Sequence, residues 1–242
     1  KKIMIKKLLK NFIPVPIWDY LRYWKFRVFY RGHFAGKGLD IKLEKYINYN
    51  DGFFVELGAN DGYTESNTIY LEIHKGWRGV LIEPSPNLFL SCTRVRKRNK
   101  IFCSACVAMD YDKKYVDMEY ANLMSISSNL DVDMGVSNQE IYLKAGREHL
   151  QTNQRNLKFG ALARTLSSIL DESNAPKEID FLSLDVEGAE LDVLKGVDFD
   201  NYSFKYMLIE CRTLGRLESY LLEKGYQKID QLTNTDYLFS KI

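Results

Sequence analysis

The chain has 242 residues, is 45% apolar and carries a formal net charge of +2, so it can bury the core of a full domain and has no global charge bias that marks a nucleic-acid binder. No apolar run approaches the roughly 18 residues of a membrane span, and lysines interrupt the first residues too often for a secretory signal. The four cysteines are scattered, and Cys103 and Cys106 form a lone C-x-x-C with no second pair to complete a zinc site; they read as buried thiols of a cytoplasmic protein.

Charge is uneven along the chain. Residues 1–32 hold nine Lys or Arg against one acid, Asp19, a local charge of +8 that leaves −6 for the rest. Residues 3–12 read as a short basic amphipathic helix ended by Pro14 and Pro16. Residues 18–30 are rich in Trp, Tyr and Arg. Basic residues beside aromatic rings suit an anionic bilayer surface. Residues 1–31 therefore predict peripheral contact with an anionic membrane, at its inner face, or with a lipid-linked substrate. Packing of the same aromatics onto the core or a second subunit is the competing expectation. Leu39 to Tyr49 reads as another amphipathic helix, which completes an N-terminal segment over residues 1–50.

The stretch Phe53 to Gly62, FFVELGANDG, organises the remainder of the chain. Phe53 to Val55 predict a strand that stops at Glu56, and Gly58 and Gly62 predict a tight turn. A helix over 64–74 comes next. Strand, glycine turn and helix make the nucleotide pocket of doubly wound α/β sheets. The dinucleotide fingerprint G-x-G-x-x-G lacks its middle glycine here, so a pyrophosphate has no backbone to rest on. The form E-x-G-x-x-x-G, with Glu56, suits a cationic ligand without phosphate, and S-adenosyl-L-methionine fits.

Strands are predicted over 80–82, 101–109, 115–119, 159–164, 179–184 and 206–209. Helices are predicted over 87–95, from the Thr165 cap to Glu172, and over 188–195 and 214–224. Tyr226–Ile229 and Asp236–Ser240 read as a final antiparallel hairpin. The main domain thus runs over 51–242, and 110–157 reads as a substrate-specificity insertion. Four core strands end in or beside an acid: Glu56, Glu83, Asp185 and Glu210. Packing rarely places four unpaired carboxylates there, whereas ligands of such sheets sit at the carboxyl ends of the strands.

Glu83, 25 positions after Gly58 at the tip of the second strand, is placed to accept hydrogen bonds from two ribose hydroxyls. In Asp185-Val186-Glu187-Gly188, both carboxylates are candidates for chemistry, with Asp185 first as general base and Glu187 second. Glu190 falls in a first helical turn and reads as structural. His149, the lone histidine of the 110–157 region, is a third candidate for catalytic contact. If Asp185, Glu187 and Glu210 converge, their hard oxygens suit a divalent metal, although no ligand spacing in the sequence supports one.

Taken together, FVELGANDGYTESNT, GWRGVLIEPSP, RTLSSIL, IDFLSLDVEGAELDVLKG and LIEC, in this order, resemble the FkbM family of S-adenosylmethionine-dependent methyltransferases over about Gly52 to Ser240. The resemblance implies a Rossmann-like class I methyltransferase fold of the α/β class, a mostly parallel twisted sheet with a terminal antiparallel β-hairpin. It implies O-methylation of a hydroxyl, with saccharides of glycans or glycolipids among the acceptors. By position, Glu56, Gly58, Asn60, Asp61, Gly62 and Glu83 would bind the cofactor, while Asp185 and Glu187 would face the reacting centre. The competing readings are a nicotinamide-dependent oxidoreductase on a similar fold and a catalytically silent binding scaffold.

Overall fold

The computed structural model describes residues 14–29, 34–120, 126–127 and 157–242. The helix expected at 3–12 and the candidate His149 lie outside the described residues.

In chain order, β1 (Phe53–Leu57), α3 (Ile69–Lys75), β2 (Arg78–Ile82), α4 (Pro86–Val95) and β3 (Lys100–Phe102) form the first half, preceded by α1 (Val15–Phe29) and α2 (Leu39–Leu43). The second half begins with α5 (Leu166–Ser173), β8 (Glu178–Leu184) and α6 (Glu190–Lys195). It continues through β9 (Ser203–Glu210), α7 (Leu214–Glu223), β10 (Tyr226–Gln231) and β11 (Asp236–Lys241). These strands make one seven-stranded sheet in the order β10-β11-β9-β8-β1-β2-β3. All adjacent pairs from β9 to β3 are parallel, and β11 runs antiparallel to β9 and β10. This is the mostly parallel sheet with a terminal antiparallel hairpin that the sequence predicts.

Side-chain alternation divides the core into two layers. Val55, Leu57, Val80, Ile82, Leu182 and Leu184 pack with Leu166, Leu170, Val193, Leu194, Leu217 and Leu221 from α5, α6 and α7. Phe54, Leu81, Phe181 and Leu208 pack on the other face against Leu39, Leu43, Leu71 and Cys92 from α2, α3 and α4. A parallel sheet covered on both faces explains the near-continuous apolar runs of its central strands.

A four-stranded sheet stands beside the main one: β4 (Ala105–Cys106), β7 (Leu157–Arg164), β5 (Tyr115–Tyr120) and β6 (Ile126–Ser127), in that order. The single strand expected at 101–109 is therefore two. The first part pairs with β2, and the chain then crosses at Cys103 and Ser104 to pair Ala105 with Ala163 of β7. One apolar run serves two sheets, which its composition alone does not reveal.

Two helices are shorter than periodicity suggests, one starting later, at Ile69, and one stopping earlier, at Leu43. The stretch 64–68 is not helical because side chains take its backbone donors. Asp61 Oδ1 accepts from Tyr63 N and Thr64 N at 3.2 and 2.8 Å, and Glu56 Oε1 accepts from Asn67 N at 3.0 Å. The α2 helix ends at Leu43, and downstream the Tyr49 carbonyl accepts from the Trp77 indole at 3.0 Å.

Arg96 knots this region together. It is wholly buried, ion-paired to Glu72 and within 3.5 Å of Glu56. Its guanidinium donates to Gly62 O at 2.9 Å, Ser66 Oγ at 3.1 Å and Thr68 Oγ1 at 2.8 Å. Removing one member of such a cluster leaves a buried charge uncompensated. Arg96→Met is expected to cost about 3–5 kcal/mol, read as a fall in the urea midpoint with an unchanged slope.

The turn between β8 and α6 is held the same way. Glu187 and Gly188 have φ of 60° and 105°, and the α6 helix begins at Glu190, two residues after the expected start. Glu190 Oε1 accepts from Val186 N at 3.2 Å and Gly188 N at 2.9 Å. Burial pushes its carboxyl up from 4.5 to about 7, against the pull of those backbone bonds. The unfolded chain then releases this proton first, so stability falls as pH rises from 4.5 to 7. Glu190→Gln keeps an acceptor oxygen for both amides and loses the ionisation. Urea unfolding on either side of that interval should show a smaller pH-dependent loss in the variant than in the parent.

Candidate functional site

β1 and β8 are neighbours in the sheet, but the chain leaves β1 towards β2 and β3 and leaves β8 towards β9. Between them lies the switch point where the connecting turns diverge and open a crevice. Gly58 sits at its floor with φ of 79°, and a β-carbon there would stand 2.0 Å from the Asp185 carbonyl oxygen. Its lack of a side chain thus first permits two protein turns to meet. Gly62 faces α4 instead, where a β-carbon would press on Arg96, Cys92 and Val95 at 2.9 to 3.0 Å.

The acids at the strand tips have separate roles. Glu56 lies on the α3–α4 face, where its carboxylate accepts from Ser66, Asn67 N and Thr68 at 2.6 to 3.0 Å. Its carboxylate thus serves as a structural hub for the turn after β1. Asp61 likewise fixes its own turn, accepting also from Thr64 Oγ1 at 2.8 Å. Asn60 has φ of 50°, and its Oδ1 accepts from Asp61 N at 2.6 Å. Glu83 accepts from Asn60 N and Ser85 N, each at 2.8 Å, and so ties the β2 tip to the glycine turn. Burial raises its carboxyl above the ordinary value despite those bonds. Each Glu83 oxygen retains a lone pair for another donor.

Asp185 follows β8 at the opposite wall. Its carboxyl neighbours that of Glu210 on the next strand, while its Oδ1 is buried and, among the described residues, has no hydrogen-bond partner. Burial and the negative Glu187 and Glu210 raise its carboxyl well above the usual range. Glu187 pairs with Arg212 at 2.9 Å. Glu210 Oε1 receives Lys37 Nζ at 3.3 Å and Thr235 Oγ1 at 3.0 Å. Burial alone would raise Glu210, but the neighbouring Asp185 carboxyl and the Lys37 charge hold it below its ordinary value.

Asp185 and Glu210 therefore meet, but Glu187 is turned onto Arg212. Among the described residues no group of His, Cys, Asp and Glu is placed to hold a metal ion. The sequence reading missed Lys37, Arg212 and Thr235. Lys37 stands 173 residues from Glu210, and no local spacing could have joined them. Cys103 and Cys106 are free thiols, the second buried and pushed up to about 12 by desolvation.

A second cavity, with Tyr46, Asp180, Lys205 and Tyr206 in its lining, lies at the amino ends of β8 and β9. It is at the opposite end of the strands from these acids. The crevice at the carboxyl ends fits S-adenosylmethionine better: a bare glycine floor, a carboxylate at the β2 tip, and an orphaned acceptor on Asp185.

Among solved structures, the METTL16 methyltransferase domain aligns over 84% of this chain with 11% identity and a TM-score of 0.41, and this chain spans 64% of that one. An RNA methyltransferase from Salinibacter ruber, in complex with S-adenosyl-L-homocysteine, aligns over 86% of this chain and 92% of its own, at 12% identity and a TM-score of 0.41. A precorrin-6y C5,15-methyltransferase from Geobacter metallireducens aligns over 87% and 94%, at 11% identity and a TM-score of 0.43. At these identities the likeness concerns the fold alone. No curated protein matches the chain. The model of the methyltransferase FkbM domain matches residues 56–228, well over half of the sequence. The chain therefore belongs to the FkbM family of S-adenosylmethionine-dependent methyltransferases.

Proposed function

We propose that this chain transfers the methyl group of S-adenosylmethionine to a hydroxyl of a saccharide or glycolipid acceptor. The observation that carries this reading is the pair of walls around Gly58: Glu83 at the β2 tip and Asp185, with its orphaned buried oxygen, after β8. S-adenosylmethionine supplies a methyl group already activated on a sulfonium. Gly58 and Asn60 contribute backbone to the turn beneath it, and Glu83 takes ribose hydroxyls on its remaining lone pairs. Glu56, Asp61 and Gly62 keep that turn in shape.

With the methyl activated, holding the acceptor oxygen in line is the larger part of the work, up to about 7–11 kcal/mol in the best cases. A sugar hydroxyl also needs a base as its proton leaves. Asp185 is that base, since its raised carboxyl affinity for a proton brings it towards the working range of general bases. Glu187, held by Arg212, orients a neighbouring sugar hydroxyl. His149 remains the third candidate for contact with the acceptor.

Residues 1–31 are proposed to bring the enzyme to an anionic membrane surface on its cytoplasmic side. Helix α1 docks on α4 through the Asp19 carboxylate, which accepts from Arg94 Nε and Nη2 at 3.0 and 2.7 Å. That pairing neutralises the only acid of residues 1–32. Ile17, Tyr20, Leu21, Trp24 and Val28 share one face at helical spacing and are 42 to 54% exposed. An apolar stripe within a segment of +8 is the composition of an interfacial helix. Among the described residues no helix is long and apolar enough to cross a membrane.

Two measurements test these readings. Labelled S-adenosylmethionine with a panel of glycans and glycolipids, followed by mass spectrometry, should show an acceptor heavier by one methylene. Asp185→Asn should lower its turnover by about 10²–10⁴ with little change in cofactor affinity; a panel with no labelled acceptor rejects saccharide methylation. In flotation, the full chain should rise with vesicles of phosphatidylcholine and phosphatidylserine, and not with phosphatidylcholine alone. Leu21→Glu with Trp24→Glu should abolish this, and equal flotation of the double variant rejects the membrane contact.

A further inference from the structure

We propose that Asp185 and Glu210 act as one proton-sharing carboxyl pair, and that Lys37 is the positioning residue that keeps the pair's negative charge on Glu210. The inference deepens the methyl-transfer reading above and rests on it for its chemical consequence.

The pair follows from the sheet. Leu184 and Ile209 are partners in the parallel β8–β9 ladder, so the next residue of each strand, Asp185 and Glu210, leaves the rim side by side. Adjacent strands stand about 4.8 Å apart, close enough for the two carboxyl groups to share a hydrogen bond. Two carboxyl groups can share a hydrogen bond only if one proton lies between them. The surroundings decide where the charge goes. Lys37 reaches Glu210 Oε1 at 3.3 Å, Asp236 Oδ2 at 3.2 Å and Thr235 Oγ1 at 3.2 Å. Thr235 in turn donates to Glu210 Oε1 at 3.0 Å. Nothing comparable touches Asp185, whose Oδ1 is buried and unpartnered among the described residues.

The other charged groups around the pair are accounted for. Glu187, on the turn after β8, is paired with Arg212 from beyond β9. Glu190, on α6, holds backbone amides. Asp236, on β11, shares Lys37 with Glu210. Asp185 is raised and Glu210 lowered, as this division of charge requires.

The division makes a relay for the acceptor proton. As the acceptor oxygen forms its bond to the methyl carbon, its O–H bond breaks and the proton passes to Asp185 Oδ1. The second Asp185 oxygen releases its own proton to Glu210. The carbon–sulfur electron pair stays on sulfur. The positive sulfonium becomes a neutral thioether, and the pair's single negative charge becomes zero, so charge balances. Lys37 touches no reacting atom and acts through Glu210.

Infrared spectroscopy of the protein alone tests the pair without any acceptor. Difference spectra against each variant isolate the protonated-carboxyl band from those of Glu83 and Glu190, which all forms share. At neutral pH the parent should show a band that disappears in Asp185→Asn and also in Glu210→Gln. A band that persists in Glu210→Gln means that burial alone keeps the proton on Asp185, and overturns the pair. In Lys37→Met the pair should take up its second proton at about tenfold lower proton concentration than in the parent, and Lys37→Arg should restore it. An unmoved titration in a folded Lys37→Met overturns the positioning role. Loss of methyl transfer to every acceptor with these bands intact would count against the reaction and not against the pair.

Discussion

Where β1 and β8 end, the Gly58 backbone lies so near the Asp185 carbonyl that a β-carbon would stand 2.0 Å from its oxygen. That approach sets everything at the rim. It places the glycine turn and the Asp185 turn as the two lips of one crevice, at the point where the sheet's connections diverge. The rest of the molecule maintains that contact. Arg96 and Glu56 fix the loop after the glycine turn, and Glu190 fixes the loop after β8.

The cost of this arrangement is a set of buried charges. Arg96, Glu56, Glu72, Glu83 and Glu190 are all almost fully removed from water. Each is tolerated because it meets backbone amides, hydroxyls or an opposite charge, although Glu72 Oε1 has no hydrogen-bond partner among the described residues. The same reasoning separates structural acids from chemical ones. Glu56 has both oxygens filled from within the chain, and Glu190 Oε1 takes two backbone amides. Asp185 keeps one oxygen with no partner among the described residues. A carboxyl group held buried, raised and under-bonded at a strand tip is matched to proton transfer more than to fold stability.

Much of the fold was legible because central parallel strands carry continuous apolar runs, and 179–184 reads as one without ambiguity. The terminal hairpin and the Thr165 cap, which accepts from Ser168 N at 3.2 Å, were legible from local signals. The division of 101–109 between two sheets was not, since both halves are apolar and only their partners differ. The site was half legible. Strand-tip position marked Glu83, Asp185 and Glu210, but it marked Glu56 equally, and period-two alternation turns that side chain to the helices. Lys37 was invisible: its partners Glu210 and Asp236 are far along the chain, and only the fold brings them together.

The central claim is that the crevice beside Gly58 is the cofactor site. Backbone amide NMR of labelled protein titrated with S-adenosylmethionine tests it most directly. The account predicts the largest shifts at the amides of residues 58–62, at Glu83 and Ser85, and at residues 185–188. Shifts confined to the amino ends of β8 and β9, around Asp180 and Lys205, would contradict it.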